Sequence, residues 1–335
     1  MTGKGAAVAV DVGGTTLKGA VFRASGALVC SRTVPTFGVD GSALASLLDL
    51  LYSLITTARS LGTDPRSVGI STPGLVNSAT GVVGYSANLG WRDLAIADLI
   101  HSRFGLPASV EHDARAGAIA ETTVMSSTDG ANAVFLPIGT GIGAALIAGG
   151  VAQRGATGAA GEVGHIPVIH GGELCSCGQR GCLEVYASAA KILERYQRLG
   201  GAAAQSTREV ADSLTTDSTA RQVWGDAVSA LATGIVSLTA TLDPAVIIIG
   251  GGLGMAGEIL LTPLRTAVGE QLLWRPAPQL VSAAFGARSS IIGASLLGLD
   301  LSADARRDFA LRADSELAGA SPVSTDPAPA VLSNF

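Results

Sequence analysis

The chain has 335 residues, 47% hydrophobic and only 15% charged, which is enough for two domains with substantial cores and too apolar for a disordered polymer. Its 22 basic and 27 acidic residues give a net charge of −5, with no basic cluster, and this argues against a nucleic-acid partner, because phosphate contacts need dense lysine and arginine. Aromatic residues are scarce, while alanine and glycine abound, the mix of an α/β protein with closely packed backbones.

Residues 6–14 (AAVAVDVGG) form an apolar run ending in Asp and two glycines, a central strand leading into a turn. LKGAVFR (17–23) and ALVCSRTV (27–34) continue it as a three-strand meander. Apolar residues at helical spacing over 42–61 predict a helix with Ser42 as N-cap. A strand follows at 67–72, running into Pro73 and Gly74. Residues 93–105 read as a helix stopped by Gly105 and Pro107. A strand at 108–113 and a helix at 114–121 come next. Residues 132–150 then repeat the opening pattern of strand, glycine turn and strand. The uncharged stretch 130–153 is long enough to span a membrane, but Pro137 and five glycines break it, so it reads as two buried strands. Helices are expected near 187–199 and 222–242, a strand at 246–252 and a closing helix at 290–298. The tail 317–335, rich in Ala, Ser and Pro, reads as disordered. No signal-peptide pattern opens the chain, so a soluble cytoplasmic protein is expected, with no membrane partner.

Three cysteines (Cys175, Cys177, Cys182) and His165 fall within eighteen residues. They are the donor types of a closed Cys3His zinc site. Four cysteines could also form two disulfides, but three of them crowd into eight residues and Cys30 stands apart in an apolar run. A metal cluster plus one lone thiol is the better reading. Glu162 and Glu184 frame the cluster, and an acidic pair beside a metal-fixed loop suggests a site for a hydroxyl-rich small molecule.

Glycine turns follow apolar strands at 13–14, 139–143 and 250–252. There is no GxxxxGK[ST] segment, and no GxGxxG with a suitable acidic residue follows the first strand. Two similar halves, each presenting a glycine turn, suggest a nucleotide. In DVGGTT (11–16), Gly13 and Gly14 let backbone N–H groups approach phosphate oxygens, Thr15 and Thr16 add hydroxyls, and Asp11 is placed to hold Mg²⁺. The alternative is an ordinary hairpin. Asp113, closing EHD (111–113), is either a general base toward an alcohol or a helix N-cap.

DVGGTTLKGAVF, STPGLV, ANLGW, ExDA, GTGIGAAL, GEVGH and CSCGQRGCLEVYAS occur in the order and spacing of the ROK family, and the chain resembles its bacterial glucokinases over roughly residues 6–300. The resemblance implies the α/β actin/hexokinase-like ATPase fold, two ribonuclease-H-like domains with a cleft between them. The domains would be 1–113, completed by the helix near 288–300, and 114–287, which carries the zinc loop 161–184. It further implies ATP-dependent phosphorylation of a hexose at the 6-hydroxyl, glucose first, in a homodimer or homotetramer. Asp113 would be the catalytic base. Asn88, Glu162, His165 and Glu184 would bind sugar hydroxyls, with Gly74 shaping the sugar loop. Asp11, Gly13, Gly14, Thr15, Thr16, Thr140 and Gly141 would face phosphate and Mg²⁺, and Gly250, Gly251 and Gly252 would lie against adenosine. His165 would serve zinc through one ring nitrogen and sugar through the other. His112 departs from the family, which usually has a sugar-binding Asn there. In the same sugar-contacting position, a bulkier, chargeable ring opens the choice to N-acetylmannosamine, N-acetylglucosamine, mannose, fructose or allose. A sugar-responsive regulator of the same family is the rival reading. It would need a DNA-binding segment ahead of the core, and only residues 1–5 precede the first predicted strand.

Overall fold

The computed structural model describes residues 5–201 and 204–320. The chain divides into two compact units, Met1–Val124 with Arg288–Phe335, and Met125–Ala287. In the first unit β1 (Ala6–Val12), β2 (Thr16–Arg23) and β3 (Leu28–Pro35) form the antiparallel meander. α1 (Ala43–Ser60) follows. Ser42 Oγ accepts the Ala45 N–H at 3.3 Å, and Leu47, Leu50, Leu51, Leu54 and Ile55 are buried along one face. Next come β4 (Ser67–Thr72), β5 (Leu75–Asn77), β6 (Val82–Ser86), β7 (Trp91–Ala95), α2 (Ile96–Phe104), β8 (Ala108–His112) and α3 (Asp113–Thr122). The main sheet has the order β3-β2-β1-β4-β8, with β4 and β8 parallel to β1, while β5, β6 and β7 form a separate small sheet.

The second unit contains α4 (Ser127–Ala131), β9 (Ala133–Pro137), β10 (Ala145–Ala148), β11 (Val151–Ala152), α5 (Glu184–Ala187), α6 (Ala189–Arg198), α7 (Thr207–Asp212), α8 (Ser218–Leu242), β12 (Val246–Gly250), α9 (Gly251–Gly254), α10 (Glu258–Gln271) and β13 (Gln279–Ser282). Its sheet runs β11-β10-β9-β12-β13. An antiparallel triplet followed by two parallel strands repeats the first unit's order, as the similar halves of the sequence led one to expect. α8 is long and apolar enough to cross a membrane, but most of its apolar window is buried within the protein. It is the core helix of this unit, and the uncharged stretch 130–153 contributes not two buried strands but buried β9, partly buried β10 and the two-residue β11. The chain then returns to the first unit with α11 (Ser289–Gly298) and α12 (Ala303–Gly319).

Four further expectations need correction. The predicted helix over 93–105 begins only at Ile96, because Trp91–Ala95 pairs with β6 as a strand. The division falls after Val124, not after residue 113, because α3 packs on α11 within the first unit. Residues 317–319 belong to α12, which is anchored by buried Phe309 edge-on to Phe22 at 5.7 Å, Ala320 caps it, and residues 321–335 lie outside the described residues. The 108–113 strand ends at His112, and Asp113 begins the helix.

α11 covers the face of the first sheet that carries Ala7 and Gly69, and Gly69 meets the helix backbone directly. A Cβ at Gly69 would overlap the Ala294 carbonyl. Gly69→Ala is therefore expected to cost about 1–3 kcal/mol through overpacking, read as a lower urea midpoint of the cooperative transition.

Candidate active site and metal cluster

In the first unit the site grows from the ends of parallel strands, where ligands of open α/β sheets bind. Register sets Asp11 beside Ser71, and Ser71 beside Glu111. The Ser71 hydroxyl donates to Asp11 Oδ1 at 2.7 Å. Burial first pushes the Asp11 carboxyl above its ordinary value of 3.8. Ser71 and Lys18 pull against it, and the nearby Asp113 charge adds to it. The β1–β2 turn beside it is closed by the Gly13 N–H on the Thr16 carbonyl at 3.0 Å and by the Thr36 hydroxyl on the Gly13 carbonyl. Gly14 and Thr15 are exposed at its tip, and Thr16 opens β2.

Asp113 is the first residue of α3, with His112 in the capping position, so the N-cap alternative for Asp113 does not hold. Asp113 Oδ1 accepts the Ala114 N–H at 2.6 Å, and its side chain is 40% exposed. His112 Nδ1 lies 3.3 Å from the same Oδ1, yet is buried without an aligned hydrogen bond. One oxygen of Glu111 is engaged elsewhere. Its Oε1 accepts from Arg115 Nε at 2.6 Å and from the His112 N–H at 2.8 Å. Gly74, just past β4, has φ +115°, and a Cβ there would strike the Tyr85 carbonyl. Asn88 is exposed in the short turn Ala87–Leu89, and among the described residues no hydrogen bond ties it to Asp11 or Asp113.

In the second unit the 139–143 turn follows β9, and Gly250 ends β12 with Gly251 and Gly252 just after it, at the same edge of the sheet. The Ile138 N–H donates to the Gly250 carbonyl, and the Leu253 N–H to the Ile138 carbonyl, each at 3.0 Å. Thr140 and Gly141 are exposed. Glu184, opening α5, reaches this turn, and its Oε2 accepts the Ile142 N–H at 3.1 Å. Glu162 is exposed just before the turn Val163–His165. Gly252 lines a cavity of about 250 Å³ walled also by Trp224, Leu253, Met255 and Ile259, with Arg208 and Asp212 among its polar residues. Gly250 and Gly251 do not line it. The sequence reading missed both these walls and Ser71, since nothing local marks α7 and α8 as neighbours of the third glycine turn.

The donor atoms of His165, Cys175, Cys177 and Cys182 lie within 4.8 Å of one another. His165 Nδ1 is 3.7 Å from Cys175 Sγ, and Cys177 Sγ is 3.7 Å from Cys182 Sγ. Zinc–sulfur bonds of about 2.3 Å at tetrahedral angles put two ligand sulfurs about 3.8 Å apart, so the donor set and spacing fit one zinc ion. Burial, and then the adjacent Cys177 and Cys175, push the Cys182 thiol up to about 12. Cys182 is thus held as the neutral thiol until a cation displaces its proton.

A family profile described as the ROK family matches residues 7–300. A glucokinase of Streptomyces coelicolor is 31% identical over 313 residues, covering 87% of this chain and 96% of that protein. Among solved structures, a ROK family glucokinase from Streptomyces griseus, in complex with glucose and AMPPNP, superposes with a TM-score of 0.75 at 28% identity. It covers 88% of this chain and 99% of that one. A ROK family transcriptional regulator, a homologue of the E. coli MLC protein, superposes with a TM-score of 0.79 at 26% identity, over 93% of this chain and 81% of that one.

The raised Asp11 carboxyl has a definite sign. Its ionisation is disfavoured by the fold, so its contribution to stability is full below 3.8 and is lost as pH rises through the higher folded value. Asp11→Asn should therefore melt at or above the wild-type temperature at neutral pH. The advantage should vanish as pH falls toward 3.8, in thermal melts taken across the pH range.

Proposed function

The chain belongs to the ROK family, with the actin/hexokinase-like fold of its sugar kinases, and we propose that it is an ATP-dependent hexokinase acting on the 6-hydroxyl of glucose. The observation that carries this reading is the pair of carboxylates, Asp11 and Asp113, placed at the carboxyl ends of parallel strands beside a glycine hairpin. Two neighbouring carboxylates suit one cation and one proton acceptor. Asp11 would hold Mg²⁺ directly or through water, and the ion would offset charge on the phosphates. Asp113 is the base.

The chemistry is a single displacement. The sugar 6-hydroxyl gives its proton to Asp113, its oxygen bonds to the γ-phosphorus, the bond from that phosphorus to the β,γ-bridging oxygen breaks, and ADP leaves. Positioning and charge neutralisation carry most of such a reaction. The hairpin amides of Gly13 and Gly14, the Thr15 and Thr16 hydroxyls, and Thr140 and Gly141 are assigned to the phosphates. The cavity beside Gly252 is assigned to the adenine base, with Gly250 and Gly251 shaping the turn that leads to it. Asn88, Glu162, His165 and Glu184 are assigned to sugar hydroxyls, and Gly74 to the shape of the sugar loop.

Zinc in the Cys3His cluster would be structural, because a sugar hydroxyl and not a metal-bound water is the nucleophile. Nδ1 is the His165 nitrogen that faces the sulfurs, which leaves Nε2–H with a fixed tautomer to donate to sugar. A cluster of reduced thiols fits the cytoplasm. A homodimer or homotetramer is the proposed assembly, open to light scattering.

The regulator reading draws on the likeness to the MLC homologue, but a regulator has no need of the base and the Mg²⁺-ready carboxylate together. An ADP-release assay across glucose, mannose, fructose, allose and the N-acetylhexosamines, with ATP and polyphosphate as donors, tests the reading. Turnover is expected with ATP and fastest with glucose, whereas no turnover with any sugar removes the kinase. Asp113→Asn should lower kcat by roughly 10²–10⁴ while sugar affinity survives. Cys177→Ala should lose the bound metal, expected at about one zinc per chain, and weaken sugar binding about 10-fold or more. Metal analysis and calorimetry measure the two, and zinc loss with unchanged sugar affinity would break the proposed link through His165.

A further inference from the structure

Resting on the reading of Asp113 as the base, we propose that His112 is a positioning residue. Its Nδ1 holds Asp113 Oδ1, so that Oδ2 alone is presented to the sugar hydroxyl. The argument starts from an unpaired atom. His112 Nδ1 is buried and has no aligned hydrogen bond, and leaving a buried ring nitrogen unpaired is costly. The side chain is only 11% exposed, so solvent does little to satisfy it.

The structure sets a carboxylate oxygen of Asp113 beside it. Glu111, the preceding residue, spends its Oε1 on the Arg115 guanidinium and on the His112 backbone N–H. Across the strand pair stands Thr72, whose hydroxyl is turned to the Pro73 carbonyl. Asp113 Oδ1 is 3.3 Å from Nδ1. That contact is not yet aligned, and catalytic hydrogen bonds of this kind tighten when substrate is bound. Oδ1 already accepts the Ala114 N–H at 2.6 Å. With a second donor on the same oxygen, the carboxylate loses its freedom to rotate, and Oδ2 is the atom left for the proton. The imidazole ring thus acts on the sugar through Asp113, in place of the direct sugar contact by this atom that the family comparison suggested.

The test uses three substitutions in the full chain. Asparagine places an amide N–H where Nδ1 stands, glutamine places one where Nε2 stands, and leucine offers neither. The expected result is that His112→Asn keeps kcat within about 3-fold of wild type, while His112→Leu and His112→Gln lose about 10- to 100-fold in kcat. Calorimetric glucose affinity should stay unchanged in all three. A His112→Leu chain that keeps kcat at saturating sugar but loses sugar affinity overturns the proposal and makes the ring a sugar ligand. Rescue by glutamine and not asparagine overturns it too, as does full activity of His112→Leu. Should the leucine variant fail to fold, the asparagine and glutamine pair still decides between the two nitrogens. Failure of the wild-type chain to phosphorylate any sugar would instead sink the kinase reading, which these variants do not touch.

Discussion

The chemistry of the first unit depends on the in-line register of β1, β4 and β8. Because Asp11, Ser71 and Glu111 are opposite one another across two parallel pairs, their side chains emerge at one edge of the sheet, and Asp113 begins the helix that leaves it. A slip of one residue would turn each of them to the other face. That register is locked by packing on both sides. Val8, Val10, Val12 and Leu17 fill the core beneath α1, while the opposite face accepts α11 against Gly69. The carboxylate pair is thus held by apolar burial, and that burial is what chiefly raises the Asp11 carboxyl, with the Asp113 charge adding to it.

The second unit solves a different problem. The loop from Glu162 to Cys182 has little regular structure beyond the isolated bridges Pro167–Cys182 and Leu174–Arg180. Its four donor residues are brought to one point, with Nδ1 the His165 nitrogen that faces the sulfurs. The surrounding anchors are polar. The Glu173 N–H donates to the Tyr186 hydroxyl at 2.7 Å, Arg198 pairs with Glu173 at 2.6 Å, and Arg195 lies over the Tyr186 ring. The metal loop is tied by these contacts to α5 and α6 of its own unit.

Much of this was legible in the chain because its signals are local. Apolar runs that end in glycine mark β1, β9 and β12, and the spacing of three cysteines and a histidine marks the cluster within eighteen residues. What escaped was non-local or masked by composition. Trp91–Ala95 joins a small sheet whose other strands are three and five residues long, too short to show a period. α12 is rich in Arg and Asp, and only Phe309, Ala310 and Ala313 betray a buried face. α3 was assigned to the wrong side of the boundary because its partner α11 lies far along the chain. The walls of the cavity beside Gly252 come from five separate helices, α6 to α10, and no spacing within one segment announces them.

In the proposed reading, one side chain of the second unit would serve two ligands. In the second unit the turn after β9 and the start of α5 are brought together, so that Glu184 Oε2 accepts the Ile142 N–H and lies against Gly141, where it leaves no room for a Cβ. In the proposed reading that turn faces phosphate and Glu184 grips sugar. A carboxylate that already holds the turn has one oxygen left for a hydroxyl, and drawing it toward sugar pulls on the backbone amide that shapes the phosphate side. The coupling is a single hydrogen bond within one unit, which makes it short enough to be direct. A hexose lacking the hydroxyl that Glu184 meets would then be penalised twice, once in its own binding and once in the alignment of the phosphate turn. Discrimination of that kind is registered in turnover as well as in affinity.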